Sequence, residues 1–351
     1  MEEQNKTVDA AKLQNRKLDI DLVKAIAVFC IVCIHASTGA FSSPTASFDW
    51  TSALLWGCLT RAGVPLFLMC TGALMLNPRK ELPLKKLYGK NLPRLVASLF
   101  FWAAVYGLYQ LLCQRNLNAA SLIQLGKDLL LFRHEQHLYY LHMIFLVYAM
   151  LPVTRIFIQA ATRRQLEYAL VLWFLTGILH PSLMHWPPFK QLSGIPRQWG
   201  LNMTWACIGY GMLGWYLQRY WSGRKCLFAW LAVLGFGLTF AGTYFLSVGG
   251  GALNDTLLGG MSVNVCLLAV GIFGLCVDAK PGKWAQKLSQ SSFCIYLSHM
   301  LFLRVLRPLL FHAQFMRCLW SIPLLTFSTM ICSFLLYEVL RRIPFVKNWL
   351  I

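Results

Sequence analysis

Charge is what this sequence has least of: Asp, Glu, Lys and Arg make up 13% of its 351 residues, and only 13 of them are acidic. A soluble enzyme of this length needs a larger charged surface. Its scarcity, with 57% apolar residues and a mean hydropathy of +0.54, excludes the soluble classes and leaves a polytopic membrane protein. No HExxH, GxSxG or phosphate-loop pattern occurs, and no Cys or His spacing suits a metal, so catalysis is expected without one. The twelve cysteines are scattered through apolar runs and read as small core residues, including the Cys30/Cys33 pair. There is no long soluble domain, repeat or low-complexity segment. The Gly249-Gly250-Gly251 run has no lysine after it that would make a phosphate loop and reads as an external turn.

What is present is a series of apolar windows of about 20 residues. Ten are expected, near 20–39, 52–76, 92–113, 137–158, 166–184, 199–218, 226–246, 256–277, 288–312 and 319–340. The reading is an all-α integral membrane protein of about ten transmembrane helices. A basic segment (1–19) precedes the membrane domain (20–342), and a short tail (343–351) follows it. The start resembles a signal peptide, but its long n-region carries both charge signs and many spans follow, so the first span is taken as uncleaved. The net charge of +19 would suggest nucleic acid in a soluble chain. Here the connections sort by charge: 22 Lys and Arg fall on one side of the membrane and eight on the other. The positive-inside rule then puts both termini in the cytoplasm and makes nucleic acid an unneeded partner. An apolar run from Leu122 to Phe132, too short to span, is expected to be interfacial or re-entrant.

The stretch Leu18 to Ser37, LDIDLVKAIAVFCIVCIHAS, carries two ionisable groups that an apolar helix would do better without. Lys24 and His35 are eleven positions apart. At 100° per residue they share a face, roughly 16 Å apart along the axis. Asp21 lies one turn below Lys24, where it could orient the ammonium or serve as an acid near the helix start. Ionisable groups inside a membrane helix face a bundle interior or a cavity, which makes them functional candidates. A pantetheine arm has a reach comparable to the Lys24–His35 separation, so a cofactor with phosphates at Lys24 could deliver a thioester to His35, the side chain best suited to acid/base work near neutral pH.

Other candidates surround this pair in sequence only. Arg61 falls inside an expected span, where a permanent cation suits an oxyanion, or a structural carbonyl or carboxylate. Lys90 and Arg94 belong to a basic cluster at the mouth of the third span, which could bind phosphates but is equally explained by topology. His137, with Tyr140 and His142, opens the fourth span, and Tyr296, His299 and Arg304 lie in the ninth. Each is unremarkable alone. Together with His35 and Arg61 they suggest a polar cavity. Glu338 is expected to pair with Arg341 or Arg342.

These residues resemble the membrane-bound acyltransferase 3 family, whose first helix carries an Arg or Lys, ten residues, then a His, as Lys24 and His35 do here. RAGVPLFLMCTGALML is similar to its second helix, with Thr71-Gly72 where Ser-Gly is usual. YGKNLPRLVASLFFW, HLYYLHMIFLVYAMLP and SSFCIYLSHML continue the likeness in order over roughly 20–345. The family's arginine pair near the third helix is matched by Arg94 alone; Asn91 stands three residues earlier, with Lys90 beside it. The resemblance implies transfer of an acyl group, commonly acetyl, from cytoplasmic acyl-CoA (acetyl-CoA) to a hydroxyl of an envelope glycan or its lipid-linked saccharide precursor. It places the protein in the lipid bilayer of a bacterial cytoplasmic (inner) membrane. His35 would be the base or transient acyl carrier, with Lys24 holding the donor, and Asp21, Arg61, Lys90, Arg94, His137 and His299 assisting in donor or substrate binding. The chain is expected to lack the extracytoplasmic domain that some relatives append, and to be closest to the stand-alone O-acetyltransferases. From the residues without the resemblance, a proton-coupled transporter or flippase fits as well as an enzyme, although two similar halves are not evident. A non-catalytic assembly partner is a third reading, in which His35 would be dispensable.

Overall fold

The computed structural model describes residues 18–78, 81–191, 203–221, 223–310 and 316–351; Lys6, Lys12, Arg16, Lys17, Arg79, Lys80 and Arg197, which enter the charge count, lie outside them. The described chain is 82% helical with no strand. It is an all-α membrane protein, and eight of its helical segments are long and apolar enough to cross a bilayer.

In chain order the helices are α1 (Leu18–Ser37), α2 (Phe48–Leu59), α3 (Gly63–Met75), α4 (Leu92–Cys113), α5 (Ala119–Leu130), α6 (Tyr139–Ala160), α7 (Arg163–Trp173), α8 (Met203–Tyr220), α9 (Lys225–Gly250), α10 (Val263–Cys276), α11 (Lys283–Leu310), α12 (Cys318–Leu340) and α13 (Pro344–Trp349). Helices α8 and α11 fall where the two remaining spans are expected. The α11 segment is less apolar because it turns Ser291, Ser292, Ser298 and His299 into the bundle. The interfacial segment expected near 122–132 is α5, held at its start by the Asn118 side chain, which accepts from the Ser121 N–H at 2.9 Å. Helix α9 runs to Gly250 and stops at Gly251, whose φ of +71° only glycine adopts readily.

One expectation needs correction. The second span is not a continuous helix: it breaks between α2 and α3 at Thr60-Arg61-Ala62. Pro65 supplies the reason. It has no N–H to return to the Arg61 carbonyl four residues back, and its ring crowds that carbonyl. Gly63, just after the break, lies against α1, where an added Cβ would meet Ile31 at 2.9 Å and the Ala27 carbonyl at 3.2 Å.

Helix α1 is the axis of the bundle, packed against α11, α3, α12, α2 and α10. Such close assembly relies on small residues, since apolar side chains gain little by leaving lipid. Between α3 and α8, a Cβ on Gly72 would stand 1.8 Å from the Gly211 carbonyl, and one on Gly214 2.2 Å from that of Met69. Cations then close several helix ends. Arg155 donates to the carbonyls of Met75 (2.7 Å) and Asn77 (3.2 Å) at the end of α3. Lys225 donates to those of Leu275 (2.9 Å) and Val277 at the end of α10. The ion pair at the end of α12 is Glu338–Arg341, at 2.5 Å. All twelve cysteines are free, eight of them buried.

Candidate active site

Three imidazoles from three helices meet beside α1. His35 comes from its last turn, His137 from the turn that leads into α6, and His299 from α11. Ring centroids are 5.1 Å apart for His35–His299, 5.4 Å for His137–His299 and 6.4 Å for His35–His137. His299 is 0% exposed and His137 5%. The cluster is framed by tyrosines. The Tyr296 hydroxyl donates to the His137 carbonyl at 2.6 Å, and the Tyr106 hydroxyl donates to that of Leu297 at 2.7 Å. The Tyr106 ring meets His137 edge-on at 4.8 Å.

These contacts hold the backbone around the rings and use one of the nitrogens of His299. His299 Nδ1 lies 2.6 Å from the Tyr296 carbonyl, so it carries a proton and donates, which makes Nε2 the nitrogen available for other work. That Nε2 and both ring nitrogens of His137 are buried and hydrogen-bonded to nothing among the described residues. A buried polar atom left this way costs roughly 1–3 kcal/mol, a penalty that folds retain where a reactant will supply the missing partner.

Two arginines flank the imidazoles. Arg307 donates from Nη2 to the His35 carbonyl at 2.6 Å and to Thr38 Oγ1 at 3.3 Å, closing the end of α1 with a cation. Arg61 sits in the α2–α3 break, with its Nε buried and unpartnered. Both guanidinium fields act on the His35 ring.

On the Lys24 side of the cluster a cavity of about 520 Å³ opens between α1, α3, α4, α6 and α11. Its lining combines Lys24, Lys86, Asn91 and Arg94, with Glu81, and the aromatic rings of Phe67, Tyr140 and Tyr296. Tyr140 and Tyr296 contact each other at 5.3 Å, and Tyr296 in turn lies 6.1 Å from His299. The wall between cavity and imidazoles is therefore one side chain thick. Arg94 also rests over the Phe293 ring at 5.6 Å and donates to the main-chain oxygen of Ile351, beyond α13.

The structure thus brings together His35, His137, His299 and Arg61 at one place, and Lys24 and Arg94 at another connected to it. Lys90 is exposed on the wide turn before α4 and does not line the cavity. Asp21 is buried one turn below Lys24, outside the lining. His142 is set apart from the imidazoles, stacked on His134 with Nε2 atoms 3.0 Å apart. Arg307 and Tyr106 were not among the candidates. Tyr106 had a signal, since Arg94, Ser98, Trp102 and Tyr106 repeat every four residues on one face of α4. Arg307 had none beyond its cost in an apolar helix.

An all-α membrane bundle thus holds a buried imidazole cluster beside a cavity lined in part by cations. The chain belongs to the acyltransferase 3 family: the family model, described as an acyltransferase domain, matches residues 17–338. It is therefore a multi-pass membrane acyltransferase. No curated protein and no solved structure matches it.

Proposed function

We propose that this protein is an O-acyltransferase of a bacterial cytoplasmic membrane. It moves an acetyl or other short acyl group from acyl-CoA to a hydroxyl of a cell-envelope polysaccharide or its lipid-linked precursor. The observation that carries this reading is the single cavity whose lining runs from Lys24, Lys86 and Arg94 to Tyr140 and Tyr296, with His299 and His35 just beyond. The lining cations suit the phosphates of the donor, and the lining aromatic rings suit the uncharged pantetheine arm.

In this reading His35 is the base. Its ring nitrogen takes the proton of the acceptor hydroxyl as that oxygen attacks the thioester carbonyl; the C–S bond breaks, and the departing thiolate recovers the proton from His35. The products are an ester and free CoA. The Nε2 of His299, which its Tyr296 bond leaves open, receives an N–H from His35 during the reaction in this reading and so orients it. Arg61 supplies positive charge for the oxygen that becomes anionic during attack.

The test is incubation of purified protein in detergent with radiolabelled acetyl-CoA and a crude envelope-glycan fraction. Label should enter the glycan as an alkali-labile ester, with release of one thiol per ester. Absence of transfer with any acyl-CoA, from folded protein and a competent acceptor pool, would overturn the proposal. An acyl-enzyme trapped by hydroxylamine would replace the base role of His35 with that of carrier.

A further inference from the structure

A second cavity, of about 760 Å³, lies toward the other end of α4, between that helix, α5 and the segment 133–136. We infer that it is a saccharide-binding cleft that holds the acceptor of the transfer proposed above, on which this inference rests. Its volume falls in the range of about 300–1,000 Å³ typical of small-molecule sites.

The argument begins with α5. An interfacial helix ordinarily buries its apolar side in lipid and gives its polar side to open water. Here Ser121, Gln124 and Asp128 lie on the half of the helix that lines the cavity, while Leu122, Ile123 and Leu130 on the opposite half are 44%, 61% and 76% exposed. The polar side thus borders a half-open cleft shared with α4 and the 133–136 segment, in which Gln124 is itself exposed. Gly107 of α4 lets the helix sit close, since a Cβ there would stand 2.3 Å from Leu125 Cδ1.

The facing wall continues the same chemistry with Gln110, Gln114 and Asn116. Side-chain amides and hydroxyls both donate and accept, which is what vicinal sugar hydroxyls require. Asp128 and Glu135 outnumber the one lining cation, Arg133, so the cleft does not match a phosphate or nucleotide. Glu135 is further fixed by Arg304 at 2.7 Å. The cleft also adjoins the imidazoles: its lining includes Gly107 and Gln136, the sequence neighbours of Tyr106 and His137. A saccharide bound there would lie beside Tyr106 and His137, next to the cluster.

The experiment places a single reporter in the cleft. Gln124→Cys is made in the full chain with the two exposed and two half-buried cysteines removed (Cys113→Ser, Cys226→Ser, Cys318→Ser, Cys332→Ser). Its labelling by a fluorescent maleimide is timed with and without oligosaccharides released from envelopes by mild acid. Oligosaccharides should slow labelling at least fivefold, and inorganic phosphate at equal concentration should not. Unchanged labelling with oligosaccharides, or an equal effect of phosphate, would overturn the cleft assignment. If Gln124→Cys fails to fold, Gln110→Cys on the facing wall serves the same purpose. In the transfer assay Gln110→Ala should raise KM for the oligosaccharide roughly fivefold with the acetyl-CoA KM unchanged. Protection without any acyl transfer would uphold the cleft and overturn the transfer reading, whereas transfer without protection would do the reverse.

Discussion

The two ends of α1 present ionisable side chains on one helix face in opposite settings. Lys24 borders a cavity with other cations beside it, Lys86 and Arg94. His35 stands eleven positions on, among rings, with the buried His299 at 5.1 Å. A flexible ammonium at an open mouth can hold a charged ligand but has little geometric control over it. An imidazole wedged among tyrosine-anchored rings has that control. In the proposed reaction this contrast divides the work along one helix, with donor binding at one end and proton transfer at the other.

The sharpest way to break the contrast is at His35. His35→Ala should lower transfer by about 10²- to 10⁴-fold, the range for loss of a positioned acid/base, with acyl-CoA affinity held. Tyr296→Phe keeps the ring but removes the hydroxyl that holds the His137 carbonyl. It should lower kcat about tenfold with little change in the acyl-CoA KM, as loss of one hydrogen bond that positions the cluster would. At the other end Lys24→Ala should raise the acyl-CoA KM about tenfold, with kcat within about twofold and a weaker dependence on salt. Lys86→Ala should raise it about threefold, and Lys90→Ala by less, because Lys86 lines the cavity and Lys90 does not. A kcat effect at Lys24 equal to that at His35 would erase the division.

How far these features were legible in the sequence follows from the range of the forces involved. The α1 face was legible because one helix carries both groups, and period alone aligns them. The family likeness rested on the same local spacing. Helix α5 and the Glu338–Arg341 pair were legible for that reason too. The convergence of His35, His137 and His299 needed three helices to meet, and nothing in the chain order sets their distances. Arg61 was read within a span, yet the break around it was signalled by Pro65 four residues on. Arg155 and Lys225 entered a charge count as topological signals, but they close the ends of α3 and α10, contacts that only packing brings about. The fold class was legible instead in the apolar windows, whose length and composition suffice to call membrane helices.

The glycine contacts offer a control on stability that leaves the site chemistry alone. Gly72→Leu forces a side chain where even a Cβ meets the Gly211 carbonyl at 1.8 Å. It should separate α3 from α8 and lower the thermal midpoint in detergent by several degrees or prevent assembly, whereas His35→Ala should leave that midpoint nearly unchanged.

The most direct test of the account is a paired measurement on wild-type protein and His35→Ala: acetyl-CoA binding by calorimetry, and radiolabelled acetyl transfer to envelope glycan, on the same purified samples. The expected result is equal binding, with transfer by the wild type and none above background by the variant. Transfer by His35→Ala at the wild-type rate would contradict the assignment of His35 as the catalytic group, and with it the division of labour along α1.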